Sequence, residues 1–321
     1  MKTINNTGGN PMNQLTPLFD TRYIKLHFTL LFPENCKVPK YKVSAIRGGM
    51  GEMLLRANCI RDRKCEACDF VSECIVQRTM YSKFEYKPEY VTTGESIGYV
   101  LECEDYREEL AAGDVVSFNL ILFGKTIVYF SQYMQALYSL GVQGLGKEQA
   151  NFVIVSVTNS LGEELLEDGN IYMPRYQVMR IADYVVYRKK QLLSHSMKNE
   201  IRFQTPLTLK FQGKFLNEFQ MEPMFRGIVR RLYMLSCFEG NEVDITEYDY
   251  DKLPQIQGQE KYFVSVPRFS NRQNAKMFLK GIEGKIFVDR ISEEQLEFLL
   301  AGELIHIGKN TSFGFGRYRI F

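Results

Sequence analysis

The alternation of apolar and polar residues predicts strands and helices in turn along the first half of the chain. Residues 23–32 and 115–123 predict strands, because apolar side chains recur at every second position. The first strand would have an apolar face of Ile24, Leu26, Phe28 and Leu30 and a polar face of Tyr23, Lys25, His27 and Thr29. Helical spacing predicts helices near residues 43–54 and 125–140, the second with Gly141 as its C-cap.

The second half repeats this plan. Residues 201–211 predict a strand interrupted by Pro206, residues 225–235 a helix, and residues 285–289 a short strand. A capping box at Ser292 opens the last helix, and a glycine-rich loop leads into a final strand. The βαββαβ order of each half predicts an α+β protein of two tandem ferredoxin-like (RRM-like) domains. We expect a flexible leader over 1–17, an N-terminal domain over 18–195 with a four-cysteine insertion, and a C-terminal domain over 196–321.

Charge is segregated along the 321 residues, although the net charge is only +2. Residues 188–202 and 268–290 are rich in Lys and Arg, whereas residues 239–251 are acidic. This distribution allows a basic groove without a strongly basic protein, or simply solvated faces. No apolar run reaches the roughly 20 residues of a membrane span, and the start of the chain does not resemble a signal peptide. The seven cysteines therefore predict a reducing, cytoplasmic location without a disulfide framework.

Four of the cysteines cluster with the spacing C-x5-C-x2-C-x5-C, at Cys59, Cys65, Cys68 and Cys74. Four thiolates can complete a tetrahedral zinc site, and the central CxxC can bind one metal through both sulfurs. The pattern therefore predicts a structural zinc. An iron–sulfur cluster is an alternative, since four thiolates suit it equally, and four reduced structural thiols are the other.

Glycine-rich segments raise the question of phosphate binding. Gly141–Lys147 fits GxxxxGK, but Glu148 stands where a P-loop needs Ser or Thr, and a helix precedes it rather than a strand. We reject a P-loop there and at residues 302–309. The C-terminal loop suits RNA instead: Gly308, Gly314 and Gly316 can expose backbone N–H groups, and Lys309 and Arg317 supply positive charge. The alternative is a tight connection between the last helix and strand.

The chain has three histidines as candidate proton-transfer residues. We rank His27 first, because Tyr23 and Lys25 share its strand face. His306 ranks second, beside the glycine-rich loop, and His195 third, in a basic interdomain stretch. No Ser/His/Asp or HExxH arrangement is present in the sequence.

Together these segments resemble a known family. They are AIRGGMGEMLLRANC at 45–59, GLGKEQANFVIVSV at 144–157, RFQTPLTLKF at 202–211, FRGIVRRLYML at 225–235, RFSNRQ at 268–273, LKGIEGKI at 279–286 and HIGKNTSFGFGRY at 306–318. In this order they resemble the CRISPR-associated endoribonucleases that process precursor crRNA, members of the RAMP superfamily.

The resemblance implies metal-independent cleavage of CRISPR repeat RNA, with no cofactor for catalysis. The 2′-hydroxyl would attack the adjacent phosphate and leave a 2′,3′-cyclic phosphate, which needs a base, an acid and nearby cations. It also implies RNA or interdomain contacts at Arg268, Arg272 and Gln273. Precursor crRNA and other CRISPR effector subunits are the expected partners, with no membrane. The alternatives are a RAMP subunit that binds crRNA without cutting it and an unrelated RNA-binding module.

Overall fold

The computed structural model describes residues 16–81, 84, 88, 96–194, 199–241, 243, 250–270 and 275–321. Its α-helices are α1 (Lys42–Asn58), α2 (Ile75–Met80), α3 (Phe130–Gln143), α4 (Ile181–Leu193), α5 (Met221–Glu239) and α6 (Glu293–Ile305). None of the helices described is long and apolar enough to cross a membrane.

The strands fall into two main sheets and three short two-stranded ladders. They are β1 (Arg22–Leu31), β2 (Cys36–Lys37), β3 (Tyr99–Glu102), β4 (Glu109–Leu110), β5 (Val115–Phe123), β6 (Val153–Thr158), β7 (Leu166–Glu167), β8 (Asn170–Ile171), β9 (Met179–Arg180), β10 (Glu200–Leu207), β11 (Lys210–Phe211), β12 (Lys214–Phe215), β13 (Ile256–Ser270), β14 (Ala275–Val288) and β15 (Tyr318–Ile320).

Both main sheets have the strand order of a ferredoxin-like unit. The first runs β3-β5-β1-β6, with β9 also pairing with β1, and the second runs β13-β14-β10-β15. All of these pairs are antiparallel. In each sheet the first strand of the unit lies between the third and the fourth, as the βαββαβ chain order requires. The predicted tandem ferredoxin-like fold is therefore confirmed.

Several element boundaries differ from the sequence expectation. Gly141 does not cap α3: it lies inside the helix, and Gly144, with φ of 91°, follows the last helical residue. The short strand expected at 285–289 is the end of β14, which forms a long hairpin with β13. The capping box at Ser292 is confirmed, because its Oγ accepts a hydrogen bond from the Gln295 backbone N–H at 3.3 Å.

The sheet of the N-terminal half is buried on both faces over part of its area. Ile24, Leu26, Phe28 and Leu30 of β1 pack in a core with α1 and α3. The opposite face contributes Tyr23, Val100, Ile121 and Phe123 to a second core, shared with α5, α6 and β10. Helix α4 also packs against α6. The two halves therefore share one apolar cluster.

The domain limits stay a prediction. Residues 1–15 of the expected leader lie outside the described residues. Leu18 and Phe19, next to the end of that leader, are buried in the shared cluster.

Candidate active site

A row of polar side chains crosses three neighbouring strands of the first sheet. His27 on β1 pairs in register with Asn119 on β5, and Asn119 pairs with Glu102 on β3. Residues paired in register point to the same face of a sheet. This face is the predicted polar face of β1, and it carries the first-ranked histidine.

Hydrogen bonds along the row set the proton positions. Asn119 Nδ2 donates to Glu102 Oε2 at 2.8 Å, because a carboxylate oxygen can only accept. The Asn119 Oδ1 atom therefore faces His27 Nδ1, at 2.9 Å, and must accept its proton. The neutral ring then carries its hydrogen on Nδ1, which leaves the Nε2 lone pair free to accept a proton.

The row opens into a groove of about 610 Å³. Its lining includes His27, Asn119, Glu102, Glu104, Tyr106 and Arg317. His27 is exposed there. The carboxylates at this wall are paired: Glu104 Oε1 lies 2.5 Å from Arg317 Nη1, and Asp105 contacts both Lys42 and Arg107. The groove thus presents no uncompensated acid to a phosphate chain at these positions.

Glu102 is the buried centre of this arrangement. Its oxygens lie 2.8 Å from Lys25 Nζ, 3.0 Å from His306 Nε2 and 3.3 Å from Arg317 Nε. Burial by itself would raise the pKa of this carboxyl, but Lys25, His306 and Arg317 outweigh it and hold that pKa well below its usual range. Lys25 is thereby committed to Glu102.

His306 lies at the far end of the same network and has no exposed surface. It follows α6 with φ of 57°, and its Nδ1 lies 3.2 Å from the carbonyl oxygen of Phe315. Burial lowers the pKa of His306, and the Glu102 carboxylate only partly opposes that shift. The ring braces the glycine-rich loop against β3. His195, the third histidine, lies outside the described residues.

Tyr23 does not share the groove with His27. It is buried in the cluster that both halves share, with its hydroxyl 3.6 Å from Met179 Sδ, and burial raises its pKa. A polar strand face is not always a solvent face, because a second domain covers this end of β1. Tyr106, which sequence reasoning missed, lines the groove instead. Burial and then the nearby Glu283 carboxyl raise the pKa of Tyr106.

The glycine-rich loop is packed rather than open. A Cβ atom on Gly308, Gly314 or Gly316 would lie 2.5, 2.7 or 1.8 Å from the carbonyl oxygens of Thr208, Leu101 and Ile307, respectively. All three glycines also have positive φ. These contacts favour the tight-connection alternative for the glycines. Of the two loop cations, Lys309 is exposed with its Nζ 5.8 Å from the centre of the Phe215 ring, and Arg317 lines the groove.

Arg268, the first residue of the RFSNRQ segment, lies on β13 and pairs in register with Met277 on β14. The Arg268 guanidinium is 4.7 Å from the centre of the Phe313 ring, in the glycine-rich loop. Arg272 and Gln273 lie outside the described residues. Arg268 is therefore the member of this predicted set that the structure locates, next to the loop.

The four clustered cysteines do not form the expected metal site. In the part of the chain that the structure describes, which includes residues 59–74, no three His, Cys, Asp or Glu side chains converge to hold a metal. Cys59 Sγ instead accepts from the Arg63 backbone N–H at 3.2 Å, and Cys65 Sγ lies 3.6 Å from Gln77 Nε2. The spacing along the chain predicted zinc, but the geometry does not support it.

Comparisons with known proteins agree with this architecture. Residues 19–182 match the family model AF_1859_N, an N-terminal domain, and residues 201–318 match the model of the CRISPR-associated endoribonuclease Cas6. The chain therefore belongs to the AF_1859_N family, and its C-terminal part is similar to the CRISPR-associated endoribonuclease Cas6.

Individual relatives are distant. An uncharacterized protein of Archaeoglobus fulgidus is 22% identical over 306 residues, which cover 94% of this chain and 99% of that protein. A Thermus thermophilus Cas6 product complex has a TM-score of 0.50 at 13% identity, covering 93% of this chain and 99% of that one. A partial Cas6-RT-Cas1–Cas2 complex has a TM-score of 0.54 at 11% identity; the match covers 94% of this chain but 46% of that longer one. These structures share the fold.

Proposed function

We propose that this chain cleaves precursor crRNA within CRISPR repeats by attack of a ribose 2′-hydroxyl on the adjacent phosphate. The observation that carries the proposal is the row His27–Asn119–Glu102, which leaves the Nε2 lone pair of His27 facing the groove. A base held in one tautomer and one orientation is what proton abstraction from a 2′-hydroxyl needs.

Each group in the groove has a distinct role in this proposal. His27 Nε2 takes the 2′-hydroxyl proton, and the Arg317 guanidinium stabilises charge on the phosphorane. The Tyr106 hydroxyl gives its proton to the 5′-oxygen as the P–O5′ bond breaks, so that the product carries a 5′-hydroxyl; water then reprotonates Tyr106 and takes the proton from His27. Glu102 and Asn119 position His27. Lys25 neutralises Glu102, so that the positioning chain does not repel the phosphate.

Cleavage of a repeat RNA in excess EDTA tests the proposal. We expect products with a 2′,3′-cyclic phosphate and a 5′-hydroxyl, because proton transfer and fixed cations suffice for this reaction. A 2′-deoxy substitution at the scissile nucleotide should abolish cutting and leave binding intact. Cleavage of that deoxy substrate, or a strict need for added metal, contradicts the mechanism.

The non-catalytic alternative has an observation in its favour. Among the residues that the structure describes, His27 is the one exposed histidine, whereas His306 is sealed and Tyr23 is buried. Tight binding of repeat RNA without any cutting would identify a subunit that binds crRNA for other CRISPR proteins.

A further inference from the structure

Two arginines from different halves of the chain converge on one aromatic ring. The Arg47 guanidinium, from α1, lies 4.1 Å from the centre of the Phe313 ring, and that of Arg268, from β13, lies 4.7 Å from it. Phe313 belongs to the glycine-rich loop between them. We call these three residues the Arg47–Phe313–Arg268 cluster.

Among the residues that the structure describes, the cluster has positive charge and no matching negative charge. Within the described ranges, neither guanidinium lies within 4.0 Å of a carboxylate oxygen. Arg47 donates to two neutral hydroxyls, Ser312 Oγ at 3.2 Å and Ser96 Oγ at 3.1 Å. Arg268 contacts Met277 Sδ at 3.3 Å, and its buried Nε has no hydrogen-bond partner in the described part of the chain.

Other arginines of the same molecule have carboxylate partners. Arg188 and Arg317, for example, both contact glutamates. Burial, and after it the charge of Arg47, lowers the pKa of Arg268, so the Arg268 cation is disfavoured in the free protein. An anion bound beside it would offset that cost.

We propose that Arg47 and Arg268 form an anion site for a backbone phosphate of RNA, bound across the junction of the two domains. The proposal rests on the proposed function, which supplies RNA as the ligand. A guanidinium matches two phosphate oxygens with parallel N–H groups. The Phe313 ring holds both guanidiniums in place before the ligand arrives, so little side-chain freedom is lost on binding.

The position of the cluster fits an RNA strand that also reaches the groove. Phe313 and Arg317 belong to the same loop and are four residues apart, so their Cα atoms are at most about 14 Å apart. One end of the loop thus contributes to the anion site and the other end to the groove with His27. A strand lying along the loop would contact both.

Binding of a fluorescent 15-nucleotide uridine RNA, measured over a range of salt concentrations, tests the site. Phosphate contacts do not depend on sequence, and a His27→Gln background prevents cutting. Arg47→Gln and Arg268→Gln should each weaken binding by about 10-fold. Because the two arginines share one phosphate, each variant should also reduce the slope of log K against log salt, by at most about 0.7, the value for one phosphate on a single strand. Arg56→Gln is the matched control on α1, because Arg56 pairs with Glu52 on the same helix, and it should bind as the background protein does.

The outcomes separate this inference from the proposed function. If repeat RNA is cut by the parent but both glutamine variants keep the affinity and the salt slope, the anion site is wrong and the cleavage proposal stands. If uridine RNA binds with the predicted losses but repeat RNA is never cut, the anion site stands and cleavage fails.

Arg268→Lys serves as a second variant in case a glutamine disturbs folding. It should keep the salt slope and lose affinity, since it retains the charge without the planar guanidinium. Unchanged affinity in that variant also contradicts the site.

Discussion

The network through Glu102 has an open end and a sealed end, each with a histidine. At the open end, His27 is exposed in the groove and hydrogen-bonded to Asn119. At the sealed end, His306 is fully buried between Glu102 and the glycine-rich loop. Residue type and network are the same, but only the open end can reach a substrate. Burial therefore decides which histidine can take part in catalysis and which one has a structural role.

Replacing each histidine with glutamine should separate the two ends most strongly. His27→Gln should reduce the single-turnover cleavage rate by about 10²–10⁴-fold, typical for loss of a general base, and leave RNA affinity unchanged. His306→Gln should lower the urea midpoint and leave the rate of the folded fraction within about 10-fold of the parent. Thr29→Val, on the same face of β1, is the control for His27 and should cut normally. A large rate loss confined to His306→Gln would reverse the assignment.

The sealed end should tolerate no added atoms at Gly316. Gly316→Ala should lower the free energy of unfolding by about 2–4 kcal/mol, since positive φ and a backbone clash act together. Gly213→Ala is the matched control: its φ is +81°, but an added Cβ would meet no atom within 4 Å, so only the cost of φ, about 1–2 kcal/mol, is expected. Equal losses in both variants would show that the loop can relax around a methyl group.

The link between the two ends passes through Asn119. Asn119→Ala should reduce the cleavage rate by about 10-fold, corresponding to one lost hydrogen bond. Asn119→Asp keeps an acceptor for His27 but adds a negative charge beside the ring, so the lower limb of the pH–rate profile should move to higher pH. A profile that stays in place would mean that Asn119 does not orient the ring.

Lowering the pH should reduce the free energy of unfolding in two steps, one from each titrating group at the sealed end. Because the pKa of His306 is lowered on folding, the unfolded chain takes up a proton first, and stability falls as pH drops through about 6.5. The pKa of Glu102 is also lowered on folding. Its carboxylate therefore stabilises the folded protein above the unfolded pKa of about 4.3, and this contribution is lost only at lower pH. Between pH 7.5 and 5.5 we therefore expect the free energy of unfolding to fall, with His306 as a cause. If the His306→Gln variant loses the same unfolding free energy over this pH range, other groups cause the loss.

The periodicity of apolar residues was enough to predict the fold, because both halves repeat the same order of strands and helices. It missed β3, whose four residues are all buried and therefore show no alternation. It also underestimated the β13–β14 hairpin, where Gly284 reads as a break in the strand pattern. In the structure a Cβ at Gly284 would lie 2.0 Å from the Glu260 carbonyl oxygen, so close strand approach explains this glycine.

The candidate site was predictable only in part. The strand period of two places Lys25 and His27 on one face. The contacts of His27 with Asn119 and of Asn119 with Glu102 depend instead on the register between strands that are distant in sequence. Local sequence does not specify that register. The cysteine spacing failed for a related reason, because separation along the chain does not determine where side chains point.

The apolar cluster beneath the groove has a thermodynamic consequence. Interfaces between domains are commonly polar enough to permit hinge motion, but here Tyr23, Val100, Ile121 and Phe123 of one sheet are buried among residues of the other half. Separating the halves would expose this surface to water, so neither half should melt alone. One calorimetric transition is the expected behaviour, and two resolved transitions would show that the halves are uncoupled. If the two halves unfold as a single cooperative unit, the groove already has its final shape before RNA binds.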